Sequence, residues 1–391
     1  MNQSPKNKKA EQERTLRDYL QTSGFRKGDQ LPSEREIATT LGVGRSALRP
    51  LLAALETEGV LQRRPQSGTF LVALPLPKNE NVHIALIAPF HGTGEPERRT
   101  DPFWFHRVAS AFERVVVTAG ARLTLMDQTQ YLHDACSAKE LSREAVRQGV
   151  QAAVLLHPLG TRNTIACALA LLHDAGVHPL ILSARTYPGL ASQVYLDSGW
   201  GAHLATVHLL NKGHHRIGFA GASDGHEWVR ERLAGYQNAL AAAEITADPA
   251  WVHLPGESGK ESPVTVSTGA SALDYFHSLP PNQKPTALVA ANDVVALGVL
   301  RRASELGILI PQSLSVIGFD NDPDALLAGL TTVDRPAESL GEVAARVVLE
   351  RVAAGARADT VTYRIRPVII ERKTVGALDD INSSTEQGSK R

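Results

Sequence analysis

Residues 31–71, LPSEREIATTLGVGRSALRPLLAALETEGVLQRRPQSGTFL, decide how the front of the chain folds. Ser33 precedes Glu34-Arg35-Glu36, so a hydroxyl N-cap is followed by a carboxylate at capping-box spacing, which opens a helix. Ile37 and Leu41 supply its apolar stripe, and Gly42-Val43-Gly44 turns the chain. Leu48, Leu51, Leu52 and Leu55 recur at i, i+3, i+4 and i+7, one face of a second helix that stops at Glu58-Gly59. Val60 to Arg63 and Thr69 to Val72 flank the turn Pro65-Gln66-Ser67-Gly68, a hairpin. Upstream, Leu16, Tyr19 and Leu20 share one face of a helix that ends near Ser23-Gly24. Residues 1–74 therefore read as a winged helix-turn-helix. Residues 33–41 are the supporting helix, 45–58 the recognition helix and 60–72 the wing.

Charge follows the same division. Of 41 basic and 41 acidic residues, the first 74 positions hold a net +4 and the remainder a net −4. A basic head on a mildly acidic body fits nucleic-acid contact by the head alone. Arg45 and Arg49 lie one turn apart on the exposed face of the recognition helix, with Arg35 on the supporting helix beside them. Arginine suits phosphate contacts and bidentate reading of guanine in the major groove. Arg63 and Arg64 in the wing are placed to reach a flanking backbone or minor groove. Such arginines are also what a solvated helix face carries; their coincidence with turn and wing favours DNA.

Behind the head, residues 75–82 carry two prolines and little to bury, and read as a linker. From His83 the pattern becomes short apolar runs separated by helical stretches: IALIA, LTLM, AAVLL, PLILS, IGFAG, TALVA and SVIGF. Continuous apolar runs belong to parallel strands buried on both faces. Helices are expected near 103–120, 160–175, 199–213, 229–244, 292–306 and 336–355. The fold class is α/β, with doubly wound parallel sheets in a two-lobed domain over residues 83–377 and a disordered tail over 378–391. Cys136 and Cys167 have no metal-site spacing. The charged N-terminus has no apolar signal core, and no apolar run approaches the ~20 residues of a membrane span. A cytoplasmic protein without membrane contact is expected.

The stretch 31–71 resembles the DNA-binding domain of GntR-family regulators nearly throughout, from its L-P-S-E-R-E start to its closing G-T-F. The resemblance implies DNA contacts from Arg35, Arg45 and Arg49, from the hydroxyl of Ser46 and from the wing-tip Gly68. Two departures stand out. Gly44 replaces the usual hydroxyl cap, and Pro50 falls inside the recognition helix, where it removes one backbone hydrogen bond and bends the axis. Residues 83–375 resemble the sugar-sensing domain of LacI/GalR-type repressors, itself similar to periplasmic sugar-binding proteins. The likeness is carried by GHHRIGFAGASDGHEWVRERLAGYQNAL, ALVAANDVVALGVLRRASELGILIPQSLSVIGFDN and LTTVDRP. The combination resembles the arabinose-repressor-like chimeras. It implies a homodimeric repressor with two partners, an operator in double-stranded DNA and a small effector, a carbohydrate.

Parallel sheets bind ligands beyond the carboxyl ends of their strands. Asn292-Asp293 follows TALVAA and Asp320 follows SVIGF, so both are expected in the crevice. Arg232 opens the RLAGY block. Together Arg232, Asn292 and Asp320 offer the donors and acceptors a polyhydroxylated ligand needs, and the resemblance assigns them ligand contacts. Phe103 and Trp104, in DPFWF, match a cleft-lining segment of the family. Arg335, where the family often has Gln, completes the expected set. The plainer alternative makes Asp293 and Asp320 helix N-caps and the aromatics core.

No catalytic residue, cofactor or metal is expected, although three motifs invite one. Gly221 to Gly225 matches G-x-S-x-G around Ser223, but no acid and histidine follow in the required order. Asp320 to Asp324 starts like a calcium loop, with Ala325 in place of its glycine. Gly259-Lys260 lacks the upstream glycine of a phosphate loop. The competing functional class is a sugar hydrolase using Asp293 and Asp320 as paired carboxylates, which leaves the basic head unexplained.

Overall fold

A computed structural model of the chain describes residues 5–65, 67–72, 75, 81–89, 102–185, 187–355 and 359–378. Most of the linker 75–82, the loop Phe90 to Thr100 and positions 379–391 of the tail lie outside the described residues, as does the side chain of Phe103.

The head contains α1 (Pro5–Thr22), α2 (Glu34–Thr40), α3 (Arg45–Thr57), β1 (Leu61–Arg64) and β2 (Gly68–Leu71). Ser33 and Glu36 form the capping box expected of them, and β1 and β2 pair antiparallel as the wing. Leu16, Leu20, Ile37, Leu48, Leu51, Leu52, Leu55 and Leu71 meet in one core. A buried ion-pair triad fastens it. Arg17 of α1 donates to Glu13 at 2.9 Å and to Glu58, at the end of α3, at 2.6 and 2.8 Å. The chain stays helical through the exposed Pro50.

The body runs through β3 (His83–Ala88), α4 (Pro102–Thr118), β4 (Arg122–Asp127), α5 (Ala135–Arg147), β5 (Ala152–Leu156), α6 (Arg162–Asp174), β6 (His178–Leu182) and β7 (Ser192–Leu196). A second lobe follows: α7 (Ser198–Asn211), β8 (Ile217–Ala220), α8 (Glu227–Ala242), β9 (Val252–His253), α9 (Val266–Ser278), β10 (Ala287–Ala290), α10 (Asp293–Glu305), β11 (Ser315–Asp320), α11 (Pro323–Leu327) and β12 (Thr331–Asp334). The chain then returns to the first lobe with α12 (Ala337–Ala354) and β13 (Thr362–Ile365), and ends in the second with β14 (Val368–Ile370).

The first sheet has the order β13-β7-β6-β5-β3-β4, all parallel, and the second β14-β12-β11-β10-β8-β9, parallel except for β14. Each strand order reverses direction at one place, between β3 and β5 in the first lobe and between β8 and β10 in the second. Ligands bind at such switch points, beyond the carboxyl ends of the strands. Helices cover both faces of each sheet: α4 packs on α12, α5 on α6, α7 on α8 and α9 on α10.

The seven expected strands and six expected helices of the body are joined by elements that the apolar pattern does not signal. The helices α5 and α9 bury small residues such as Ala138, Ala145, Gly269 and Ala272. The helical pair α7 and α8 approaches closely because both contribute glycine. A Cβ on Gly235 would collide with the backbone oxygen of Gly199. Gly235→Ala should therefore cost about 1–3 kcal/mol, the range for overpacking a filled interior. Chemical denaturation of the whole chain reads this as a lower midpoint; an unchanged midpoint refutes the close crossing.

Candidate functional site

The head presents its basic side chains to solvent. Arg35 on α2, Arg45, Ser46 and Arg49 on α3, Arg63 and Arg64 on β1 and Gly68 on β2 are all exposed. The leucine face of α3 is buried in the head core, so Arg45 and Arg49 must point outward. Gly44 caps α3 with no side-chain bond, leaving the first N–H groups of that helix open to an anion. At the wing tip Gly68 adopts φ +103°, and a Cβ there would press within 2.7 Å of Gln30 Nε2, which donates to Ser67 O at 2.8 Å. Only glycine fits.

The arginines are not all alike. Glu34 accepts from Arg49 Nε at 3.1 Å and from Arg63 Nη2 at 3.3 Å, bringing recognition helix and wing to one carboxylate. Arg64 lies over the ring of Phe70 at 4.5 Å. Arg45 has no ion-pair partner among the described residues.

In the body, Arg232, Asp320, Arg335 and Trp104 meet in one cluster, and Asn292 follows Ala291 beside it. Arg232, on α8, is 3% exposed. Its guanidinium stacks on Phe319 at 3.6 Å and faces Trp228 at 4.7 Å. It donates to Asp320 Oδ1 at 3.0 Å and to the backbone oxygen of Ala291, at the switch point. Burial pulls this guanidinium down to about 10 while Asp320 pulls it back, so it remains a cation at neutral pH. Asp320, at φ +119°, also lies 3.1 Å from Arg335 Nε. Arg335 spreads over the ring of Trp104 at 4.5 Å, joining the second-lobe carboxylate to the first helix of the first lobe. Trp104 itself packs in the first-lobe core, as the plainer alternative expects.

Two expectations need correction. Asp293 does not face the crevice. It is fully buried, with Oδ1 accepting from Thr332 Oγ1 at 2.6 Å and Oδ2 from Asp322 N at 2.8 Å. Burial, and then the charge of Asp320, push its carboxyl up to about 8. The N-cap is instead Asn292, whose side chain accepts from Val295 N at 3.0 Å. Paired-carboxylate hydrolysis loses its second group by this geometry. Ser223 is equally withdrawn: it is fully buried and donates to Lys260 O at 2.8 Å. Asn321, in the calcium-like stretch, donates to Asp334 and accepts from Arg372. Among the described residues, no group of three or more His, Cys, Asp or Glu is placed to hold a metal.

Beyond Phe103 and Trp104, sequence reasoning missed two first-lobe residues at the strand ends. His157 directly follows β5, at that lobe's switch point, with φ +44° and an edge contact to Phe105 at 5.6 Å. Arg185 follows β6 and donates across to Glu227, the first residue of α8, at 2.7 Å. The strand-end rule that found Asn292 and Asp320, applied to AAVLL and PLIL, points to both.

A winged helix-turn-helix thus precedes a two-lobed body. Residues 9–71 match the family profile of bacterial regulatory proteins, gntR family, and residues 206–375 that of the periplasmic binding protein-like domain. The two matches fall on the head and on the later part of the body. It is 30% identical over 211 residues to the HTH-type transcriptional repressor PurR of Pectobacterium carotovorum, covering 53% of this chain and 59% of that protein. With PurR of Vibrio atlanticus it shares 35% over 192 residues, 48% and 54% of the two chains. The chain spans about half the length of the curated relatives it matches. In fold it is similar to a LacI family regulator from Enterococcus faecium solved with bound ribose, at TM-score 0.57 and 22% identity over 75% of this chain and 99% of that one. A LacI family regulatory protein from Chloroflexus aggregans aligns at TM-score 0.61 and 20% identity, over 75% and 98%. Among the described residues, no helix is long and apolar enough to cross a membrane.

Proposed function

We propose that this protein is a one-component, cytoplasmic transcriptional repressor and not an enzyme. Its head binds an operator in double-stranded DNA, and its body binds a small effector in the crevice between the lobes. The observation that carries the reading is the exposed arginine face of α3 and the wing, in the same chain as the Arg232–Asp320–Arg335 cluster at a switch point. The effector is a carbohydrate. Arg232, Asn292 and Asp320 supply donors and an acceptor for hydroxyls, Trp104 supplies an aromatic wall, and a regulator of similar fold carries ribose. Two chains act as a homodimer whose heads must match two half-sites, so a small rotation of the lobes changes operator affinity without touching a DNA contact. The domains are a head over 1–74, a linker over 75–82 and the sensing and dimerising body over 83–377. Arg35, Arg45, Ser46, Arg49, Arg63, Arg64 and Gly68 meet DNA. Phe103, Trp104, Arg232, Asn292, Asp320 and Arg335 serve the effector.

A thermal-shift screen against a sugar panel, followed by gel shifts with and without the responsive sugar, tests this reading. A ligand of the native state raises the midpoint by mass action. No shift with any sugar, together with no DNA binding, refutes it. Within it, Arg45→Ala should cost about 1–3 kcal/mol at the operator, since Arg45 is the recognition-helix arginine without an ion-pair partner among the described residues. Gel-shift titration at fixed salt measures this, and undiminished affinity removes Arg45 from base reading.

A further inference from the structure

Glu34 puts a negative charge on the face where the head is most basic. Its carboxylate, a third exposed, reaches Arg49 Nε at 3.1 Å and Arg63 Nη2 at 3.3 Å. Arg63 is held from the other side by Glu56, which accepts from its backbone N–H at 3.2 Å and lies 3.6 Å from its Nε. Exposed pairs of this kind add little to stability, and the leucine core with the Arg17 triad already fixes the head. Their consequence is directional. With Nε held, Arg49 keeps its Nη1–Nη2 edge for a bidentate contact, the geometry that reads a guanine. Arg63 donates one Nη2 hydrogen to Glu34 and turns its Nε towards Glu56, which leaves its Nη1 side for a phosphate contact.

We propose that Glu34 is a positioning residue for DNA reading: one carboxylate aims Arg49 at base edges and holds Arg63 to one phosphate, at the expense of non-specific affinity. This rests on the proposed DNA-binding function and names a further determinant of its specificity. A carboxylate among phosphates disfavours every DNA sequence, and the loss is recovered only where the aimed arginines find their partners. That is discrimination by repulsion as well as attraction.

The test uses the full-length protein and two probes: a duplex enriched from a random-sequence pool by the wild type, and a mixed-sequence duplex of the same length. In Glu34→Gln both arginines lose the carboxylate charge they share, while Arg63 keeps Glu56. Affinity for the mixed-sequence duplex should rise about fivefold near 0.15 M salt, and its salt dependence should steepen by about one phosphate contact. Affinity for the enriched duplex should fall severalfold, so discrimination drops about tenfold or more. A merely structural role would lower both affinities together and leave the salt slope alone. Glu34→Asp, too short to span both arginines, should show the same loss of discrimination and keeps the test open if the Gln variant does not fold. Unchanged discrimination and slope in the variants, with a wild type that discriminates, overturn the role of Glu34 only. A wild type that enriches no sequence overturns the DNA-binding reading and this proposal with it.

Discussion

Asp320→Ala should abolish the effector response and also destabilise the second lobe by about 3–5 kcal/mol, the cost of stripping one partner from a buried ion pair. Arg232 is 3% exposed and stacked on Phe319, so it cannot turn to water when Asp320 is removed. The backbone oxygen of Ala291 alone would face the cation. Asp320→Asn keeps an acceptor at the same place and should lose far less stability while still weakening the effector, which competes for the oxygen that Arg232 and Arg335 share. Operator binding without effector should persist in both variants under conditions where they are folded, because the proposed DNA contacts lie in residues 31–71. Thermal melts beside gel shifts with the responsive sugar separate the two effects. An Ala variant that melts like the wild type disposes of the buried-pair argument, and a full sugar response in both variants removes Asp320 from the site.

Asp293→Asn should make the protein more stable at alkaline pH. The Asp293 carboxyl titrates at about 8 in the folded chain against an ordinary value of 3.8. A raised carboxyl contributes stability that is fully present below its unfolded value and is lost as pH rises through its folded one. The loss should reach on the order of 5–6 kcal/mol by pH 8, at 1.36 kcal/mol per pKa unit over the span from 3.8 to about 8. Asparagine does not titrate. Its oxygen can take the Asp322 N–H while its amide donates to Thr332 Oγ1, so both hydrogen bonds survive. Melts from pH 3 to 9 should keep a constant offset below about pH 4, diverge as pH rises towards 8 and hold a constant gap beyond it. His178 works in the opposite sense in both proteins: burial, then Arg351, hold it at about 4, so its contribution fades as pH falls from 6.5. Parallel curves for the two proteins across the whole range would show that Asp293 is already ionised.

The head was legible almost to the residue, because its evidence is local. Ser33, Glu36 and the leucines of α3 specify capping and burial within one or two turns. The central strands were legible for a similar reason: IALIA, AAVLL and SVIGF are buried on both faces, and unbroken apolar runs announce this. The edges were not. Thr362–Ile365 and Val368–Ile370 are half-exposed and short, and Thr331–Asp334 buries threonines through hydrogen bonds that no hydropathy pattern reveals. The crevice was half legible. Strand ends located Asn292 and Asp320, yet which carboxylate turns inward depends on Thr332, which lies 39 positions from Asp293 in the chain and meets it only after folding. The Arg185–Glu227 contact was out of reach for the same reason, since it joins two lobes.

The first lobe is interrupted in sequence by the second, and this bears on how the protein is made. Its core includes Ala337, Leu340, Ala344, Val347 and Val348 of α12, packed with Val108, Phe112 and Val116 of α4. Its edge strand β13 pairs with β7 across an interval of more than 150 residues. On the ribosome, residues 83–196 emerge without these partners and must wait with one side of their sheet uncovered. The second lobe, continuous from Ser198 to Asp334 and lacking only β14, can condense first. The lobe that begins the body is therefore the last to close, and a nascent chain stopped before Ala337 would present the bare face of α4 to chaperones or to aggregation.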